Sequence, residues 1–311
     1  MIRMGLIGAG LRAGGHLKML RPLQEAGRVK VSAILDPVAA AREKLARECG
    51  AQPVGGMDEL LAASDAVIVI SPNRFHVEQS IACLEAGKAV YCEKPLALTL
   101  ADADRVVAAV ERTGQAFMTG FSIRWGAPAF QMRQLFAEGK LGELVAVAVR
   151  RIAARKDEAE RNATGWRADS SQTGGVLAEI LAHELDWLRW VGGDVARVTA
   201  RTYAYHRDHP DANDHVVAQL EFAGGGVGTL EGGWHAYESE YQKSLYGSRT
   251  GELASQPVEL SGSPSSDEVF VASLEKGEPP PAGAHDGRAV VELTEAILRS
   301  AADGRTIQLG D

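Results

Sequence analysis

The sequence predicts an α/β chain of two domains: a doubly wound parallel sheet over residues 1–119, then an α+β domain with a mainly antiparallel open sheet over residues 120–311. Three observations predict it. Strand and helix signals alternate at βαβ spacing up to residue 119, which calls for parallel strands joined by right-handed crossovers. The run Ala66 to Ile70 is nearly all aliphatic, as a strand covered on both faces must be. Beyond residue 120 successive strand signals follow one another, and Leu144 to Ala153 alternates like a strand exposed on one face.

Each element has its own signal. In the first domain, strands are expected at Met4–Gly8, Val29–Leu35, Ala66–Ile70, Ala89–Cys92 and Gln115–Thr119. Helices are expected between them at Gly14–Ala26, Val38–Cys49, Val77–Ala86 and Leu100–Arg112. The second domain opens with a helix at Pro128–Glu138 and a strand at Leu144–Ala153, followed by a strongly amphipathic helix over Gly175–Val191. Strands follow at Val195–Ala204, Val216–Phe222, Val227–Gly233 and Glu240–Tyr246, with Gly224-Gly225-Gly226 as a hairpin connection. Ser255–Asp267 and the proline-rich Glu278–Gly287 read as surface loops, and a last helix over Ala289–Asp303 ends at Gly304.

Composition narrows the function. Forty-one acidic against 33 basic residues leave a net charge of −8, the wrong sign for a nucleic-acid or anionic-membrane binder. No apolar run approaches the roughly 20 residues of a spanning helix. Cys49, Cys83 and Cys92 form no CxxC pair, and they read as reduced thiols of a cytoplasmic protein.

The chemistry-bearing residues fall at the ends of strands. Gly8-Ala9-Gly10-Leu11-Arg12-Ala13 follows a strand and opens a helix, the setting in which backbone N–H groups approach a pyrophosphate. Asp36 ends the second strand, where a carboxylate accepts from ribose hydroxyls and repels a 2′-phosphate, favouring NAD over NADP. Ser71, Asn73 and His76 follow the most apolar strand; Glu93-Lys94-Pro95 follows the next, at the same carboxyl edge where such sheets bind ligands. In the second domain, Glu179, His183 and Asp186 stand four and three apart on one helical face inside an apolar collar. Glu179 and His183 could share a metal, but no spacing marks a third ligand. The His206–His215 stretch reads as a polar loop, so no metal is expected.

These residues resemble the Gfo/Idh/MocA oxidoreductases, whose namesakes include glucose–fructose oxidoreductase and inositol dehydrogenase. The match runs through Gly8-x-Gly10-x-x-Ala13 with His16, Ser71-Pro72-Asn73-x-x-His76, Glu93-Lys94-Pro95, Gly120-Phe121-x-x-Arg124, Trp166-Arg167 and Gly174-Gly175-x-x-x-Glu179-x-x-x-His183-x-x-Asp186. The resemblance implies a Rossmann domain that binds NAD through Gly8, Gly10, Leu11, Arg12, Asp36, Ser71, Asn73, His76, Glu93 and Lys94, with Glu93 beside the nicotinamide ribose. It implies catalysis by Lys94, His183 and Glu179, and substrate contacts from those three with Arg124, Trp166 and Arg167. Glu179 stands where the family's catalytic helix has Asp, one methylene shorter.

The expected reaction is hydride transfer between nicotinamide and a secondary hydroxyl or ketone of a sugar, cyclitol or nucleotide sugar. Either His183 or Lys94 could take the hydroxyl proton. Alternatives are an NAD-using glycoside hydrolase without net redox and a non-catalytic dinucleotide or sugar sensor. By analogy with the family, the chain is expected to form a homodimer or homotetramer.

Overall fold

The computed structural model describes residues 1–154, 170–204, 214–236, 239–249 and 263–310. The chain divides into two compact units, Met1–Phe121 with Pro264–Arg288, and Ser122–Ser263 with Ala289–Asp311. The expected boundary after residue 119 falls two residues before the first crossing, at Phe121. Residues 264–288 return to the first unit.

The first unit carries strands β1 (Ile2–Ile7), β2 (Val29–Leu35), β3 (Gln52–Val54), β4 (Ala66–Val69), β5 (Ala89–Glu93) and β6 (Phe117–Gly120). They form one parallel sheet in the order β3-β2-β1-β4-β5-β6. Helices α1 (Leu11–Glu25), α2 (Ala39–Cys49), α3 (Met57–Ala63), α4 (His76–Glu85) and α5 (Leu100–Thr113) make the crossovers. All four residues of β4 are 0% exposed, which is why its sequence is uniformly aliphatic. On α1 the buried face is Ala13, His16, Leu17, Leu20 and Leu23, spaced at helical period. Each fully buried leucine contributes roughly 1.5–3 kcal/mol. Two elements go beyond the expected set. The strand β3 is three residues long and holds Pro53, which a sheet accepts only at its edge, and α3 follows it.

The second unit has α6 (Ala127–Ala137), then β7 (Leu144–Ala154), a helical turn at Ser170–Thr173, a π-helical turn at Leu177–Leu181 and α7 (Ala182–Gly192). Strands β8 (Val195–Tyr203), β9 (His215–Phe222), β10 (Val227–Ala236) and β11 (Glu240–Gly247) follow. Back in the first unit lies α8 (Ser266–Lys276), and α9 (Ala284–Asp303) leads on to β12 (Ile307–Gln308). The second sheet runs β11-β7-β10-β9-β8-β12, antiparallel except for β10 beside β7. Gly225 and Gly226, at φ +93° and +81°, make the expected hairpin between β9 and β10. One sheet face is buried through Val147, Val149, Val198, Val216, Leu220 and Leu230. The other is lined by Thr199, Gln219, Thr229, Ala148 and Ser244 in register across the strands.

Three further expectations change. The amphipathic helix over Gly175–Val191 is interrupted by the π-helical turn, which covers Glu179. The proline-rich loop ends earlier than expected, because α9 begins at Ala284. Asp267, expected in a surface loop, lies in the first turn of α8 and is 1% exposed.

Candidate active site

In the first unit the predicted ligand edge is assembled. Gly8 follows β1 with φ +109°, and a Cβ there would lie 2.9 Å from the carbonyl of Ile70, the residue just after the neighbouring strand β4. Only glycine fits both the angle and the approach. Gly10 caps α1 with its amide end free of any side-chain cap, and nothing lies within 4 Å of where its Cβ would be. That leaves space and backbone donors for a pyrophosphate at the helix N-terminus. Leu11 is 82% exposed beside them.

Asp36 closes the loop from the next strand. Its Oδ2 accepts from the Ala9 amide at 2.7 Å, and its Oδ1 accepts from the Val38 amide at 2.7 Å. The carboxylate is thus fixed at the end of β2, the position expected to receive a ribose diol. The donor set and the open glycine turn fit a dinucleotide.

Ser71 follows β4 by two residues and donates its hydroxyl to Gln79 Oε1 at 2.5 Å. Asn73 is 4% exposed. His76 is buried with Nδ1 2.7 Å from the Pro95 carbonyl and Nε2 2.8 Å from the Ser71 carbonyl. Burial lowers its affinity for a proton, and the two carbonyls oppose that. His76 thereby ties the turn after β4 to the Glu93-Lys94-Pro95 segment after β5. Lys94 itself is half-buried, and its amide donates to Glu93 Oε2 at 3.2 Å.

Glu93 is 5% exposed and is held from two sides. Its Oε1 accepts from Arg12 Nε at 2.8 Å and lies 3.1 Å from His16 Nε2. The opposite ring nitrogen of His16 lies 2.7 Å from Asp267 Oδ1. The sequence reading assigned nothing to Asp267. A signal was present: Ser265-Ser266-Asp267-Glu268 is a capping-box pattern, and Ser265 Oγ does accept from the Glu268 amide at 3.1 Å.

In the second unit, Glu179 and His183 are half-buried between buried neighbours, Glu179 on the π-helical turn and His183 at the start of α7. π-Helical turns occur often at functional sites. Asp186 turns instead to Arg124. Both are almost fully enclosed, with Nε to Oδ2 at 2.7 Å and Nη2 to Oδ1 at 2.5 Å. Arg124, expected to contact substrate, is thus held in a buried ion pair.

Glu184, the residue after His183, is fully buried and accepts from Arg151 Nη1 at 2.6 Å and from the Tyr241 hydroxyl at 3.0 Å. The Lys243 ammonium stands 3.1 Å from the same carboxylate and 4.3 Å from the Trp187 ring centre. Burial lowers the Lys243 pKa, and Glu184 opposes that. These contacts fasten the helix that carries His183 to β7 and β11. Trp166, Arg167 and most of the 206–215 stretch lie outside the described residues. Among the described residues, no group of three or more His, Cys, Asp or Glu side chains could hold a metal ion, and no helix is long and apolar enough to cross a membrane.

Comparison with known proteins matches both parts of the chain to one family. A model of the oxidoreductase family GFO_IDH_MocA, NAD-binding Rossmann fold, matches residues 2–121, and one of the GFO/IDH/MocA C-terminal domain matches residues 130–251. The chain is 34% identical to 1,5-anhydro-D-fructose reductase of Ensifer adhaerens over 72% of its own length and 67% of that protein's. It is 27% identical to inositol 2-dehydrogenase of Rhizobium meliloti over 99% of both. Its fold is similar to the WlbA dehydrogenase of Bordetella pertussis, crystallised with NADH and UDP-GlcNAcA. The TM-score is 0.87 at 26% identity, covering 100% of this chain and 98% of that one.

Proposed function

The chain belongs to the Gfo/Idh/MocA oxidoreductase family, and from that premise we propose that it oxidises a secondary hydroxyl, or reduces the matching ketone, on a sugar, cyclitol or nucleotide sugar. The observation that carries this reading is the position of Lys94. It follows β5 at the same carboxyl edge of the sheet as the Gly8–Gly10 turn and Asp36. A cation at the cofactor end of a parallel sheet is suited to an oxygen that gains negative charge during reaction. The named activities of relatives on 1,5-anhydro-D-fructose and inositol, and the UDP-GlcNAcA bound to the WlbA dehydrogenase, support a polyhydroxylated substrate.

NAD, when bound, supplies the hydride acceptor. The protein's part is to take the hydroxyl proton and hold the carbinol carbon in line. In this proposal His183 accepts the proton, since imidazole titrates near neutrality. Lys94 donates a hydrogen bond to the same oxygen. Glu179 orients the imidazole or accepts from a neighbouring hydroxyl, and Glu184 with its three partners keeps the helix of His183 from shifting. We further propose that a second copy covers the face of the second sheet that carries Thr199, Gln219 and Thr229, giving a homo-oligomer.

The test is turnover of Lys94→Ala and His183→Ala with NAD and a panel of sugars, sugar acids and cyclitols. Loss of about 10²–10⁴-fold in each variant supports the assigned roles. Wild-type turnover in both would refute them.

A further inference from the structure

We propose that His16 and Asp267 form a buried positioning relay for Glu93, with His16 held as an imidazolium that donates to a carboxylate from each ring nitrogen. The proposal rests on the reading that Glu93 serves the nicotinamide ribose, and extends it to two residues from distant parts of the chain.

The geometry leaves His16 one satisfactory protonation state. Nδ1 faces Asp267 Oδ1 at 2.7 Å and Nε2 faces Glu93 Oε1 at 3.1 Å, and neither carboxylate oxygen can donate when ionised. A neutral ring has one N–H, so one lone pair would confront a carboxylate. The doubly protonated ring donates to both.

Charge balance gives the same answer. Four charged groups meet here: the buried Glu93 from β5, Asp267 from α8 and His16 from α1, and Arg12 from α1, whose side chain is 40% exposed. With His16 protonated they sum to zero; without it, two carboxylates share one guanidinium. A further titratable neighbour is Tyr91, whose ring meets the imidazole edge-on at 5.3 Å and whose hydroxyl donates to Ser266 at 3.1 Å. Burial pushes that phenol well above its usual range, so it stays neutral. Burial also opposes charge on His16, but the Asp267 and Glu93 carboxylates outweigh it and raise its pKa to about 9.

The consequence is functional. His16 is 1% exposed and Asp267 1%, so neither has room to touch a bound dinucleotide. Glu93, at the sheet edge between Arg12 and His16, is the member that could. The relay sets the rotamer and charge of Glu93 from behind, and α8, which the chain supplies only after completing most of the second unit, delivers the anchoring carboxylate.

The experiment is binding of NADH to the full chain, followed by reduced-nicotinamide fluorescence from pH 6.5 to 10, with histidine ring NMR alongside. The wild type should bind with constant affinity to about pH 8.5 and weaken about tenfold as His16 loses its proton near pH 9. His16→Gln should bind about tenfold more weakly at pH 7 and lose that alkaline midpoint. Asp267→Asn should move the midpoint down, and Asp267→Glu should restore it. The ring signal absent from His16→Gln should keep both nitrogens protonated up to about pH 9.

Titration of that signal near pH 6.5 would overturn the relay, and it needs only the wild type plus one variant for assignment. If His16→Gln does not fold, the Asp267 pair carries the test. Weakened binding in Glu93→Gln with wild-type behaviour in His16→Gln would overturn the relay alone. Wild-type binding in Glu93→Gln would overturn the reading beneath it, and the proposal with it.

Discussion

Replacing Arg124 by Ala removes the guanidinium that faces Asp186 inside the second unit. The pair is 2% and 1% exposed and joined by two short hydrogen bonds, so solvent screening does little to soften the loss. Breaking such a pair on one side costs about 3–5 kcal/mol, because the carboxylate stays buried without its counter-charge. The guanidinium also lies 5.5 Å from the Trp190 ring centre, a contact worth a further ~0.5–1 kcal/mol. Together about 3.5–6 kcal/mol is lost, and for a unit of this size a melting temperature lower by about 7–24 °C follows. The assay is urea and thermal unfolding of Arg124→Ala, Asp186→Leu and the double variant Arg124→Met with Asp186→Leu. The double variant should recover most of the loss, since an apolar pair needs no desolvated charge. If Arg124→Ala loses less than about 0.5 kcal/mol, as an exposed substrate contact would, the framework role is wrong.

Other outcomes follow from the same geometry. Gly8→Ala forces a Cβ against the Ile70 carbonyl at φ +109°, so NADH binding in a fluorescence titration should fall by at least about tenfold. Asp36→Asn keeps an acceptor for one loop amide but removes the charge, so NADH affinity should drop about tenfold and the preference over NADPH should narrow. The raised His16 pKa also makes stability depend on pH. The folded state binds this proton more tightly, with the pKa moved from 6.5 to about 9. The stabilisation of ~3 kcal/mol is therefore complete below pH 6.5 and lost as pH rises through about 9. Urea unfolding at pH 6, 8 and 10 should trace that loss, and Asp267→Asn should flatten it.

Which parts of this were legible depends on how local their causes are. The strand Ala66–Val69 announces itself because burial on both faces admits only aliphatic residues. The Gly8 turn does so because only one residue type tolerates its angle and its neighbour. Gln52–Val54 does not, since three residues with a proline carry no period to read. The π-helical turn at Leu177–Leu181 is equally silent, because pattern reading assumes a regular helix through Glu179 and His183.

Pairings between distant residues are the hardest to see. Arg124 meets Asp186 across 62 positions and His16 meets Asp267 across 251, and nothing in either residue's own neighbourhood names its partner. Asp267 was additionally masked by the Ser/Pro/Gly composition before it, although its capping box pointed to a helix start.

The central claim is net hydride transfer to NAD from a polyhydroxylated substrate, and reduced-nicotinamide absorbance measured together with product analysis tests it most directly. Reduced cofactor should accumulate in step with ketone, with NAD preferred over NADP and the signal lost in Lys94→Ala. Product formed from an aryl glycoside without accumulation of reduced cofactor would contradict the claim.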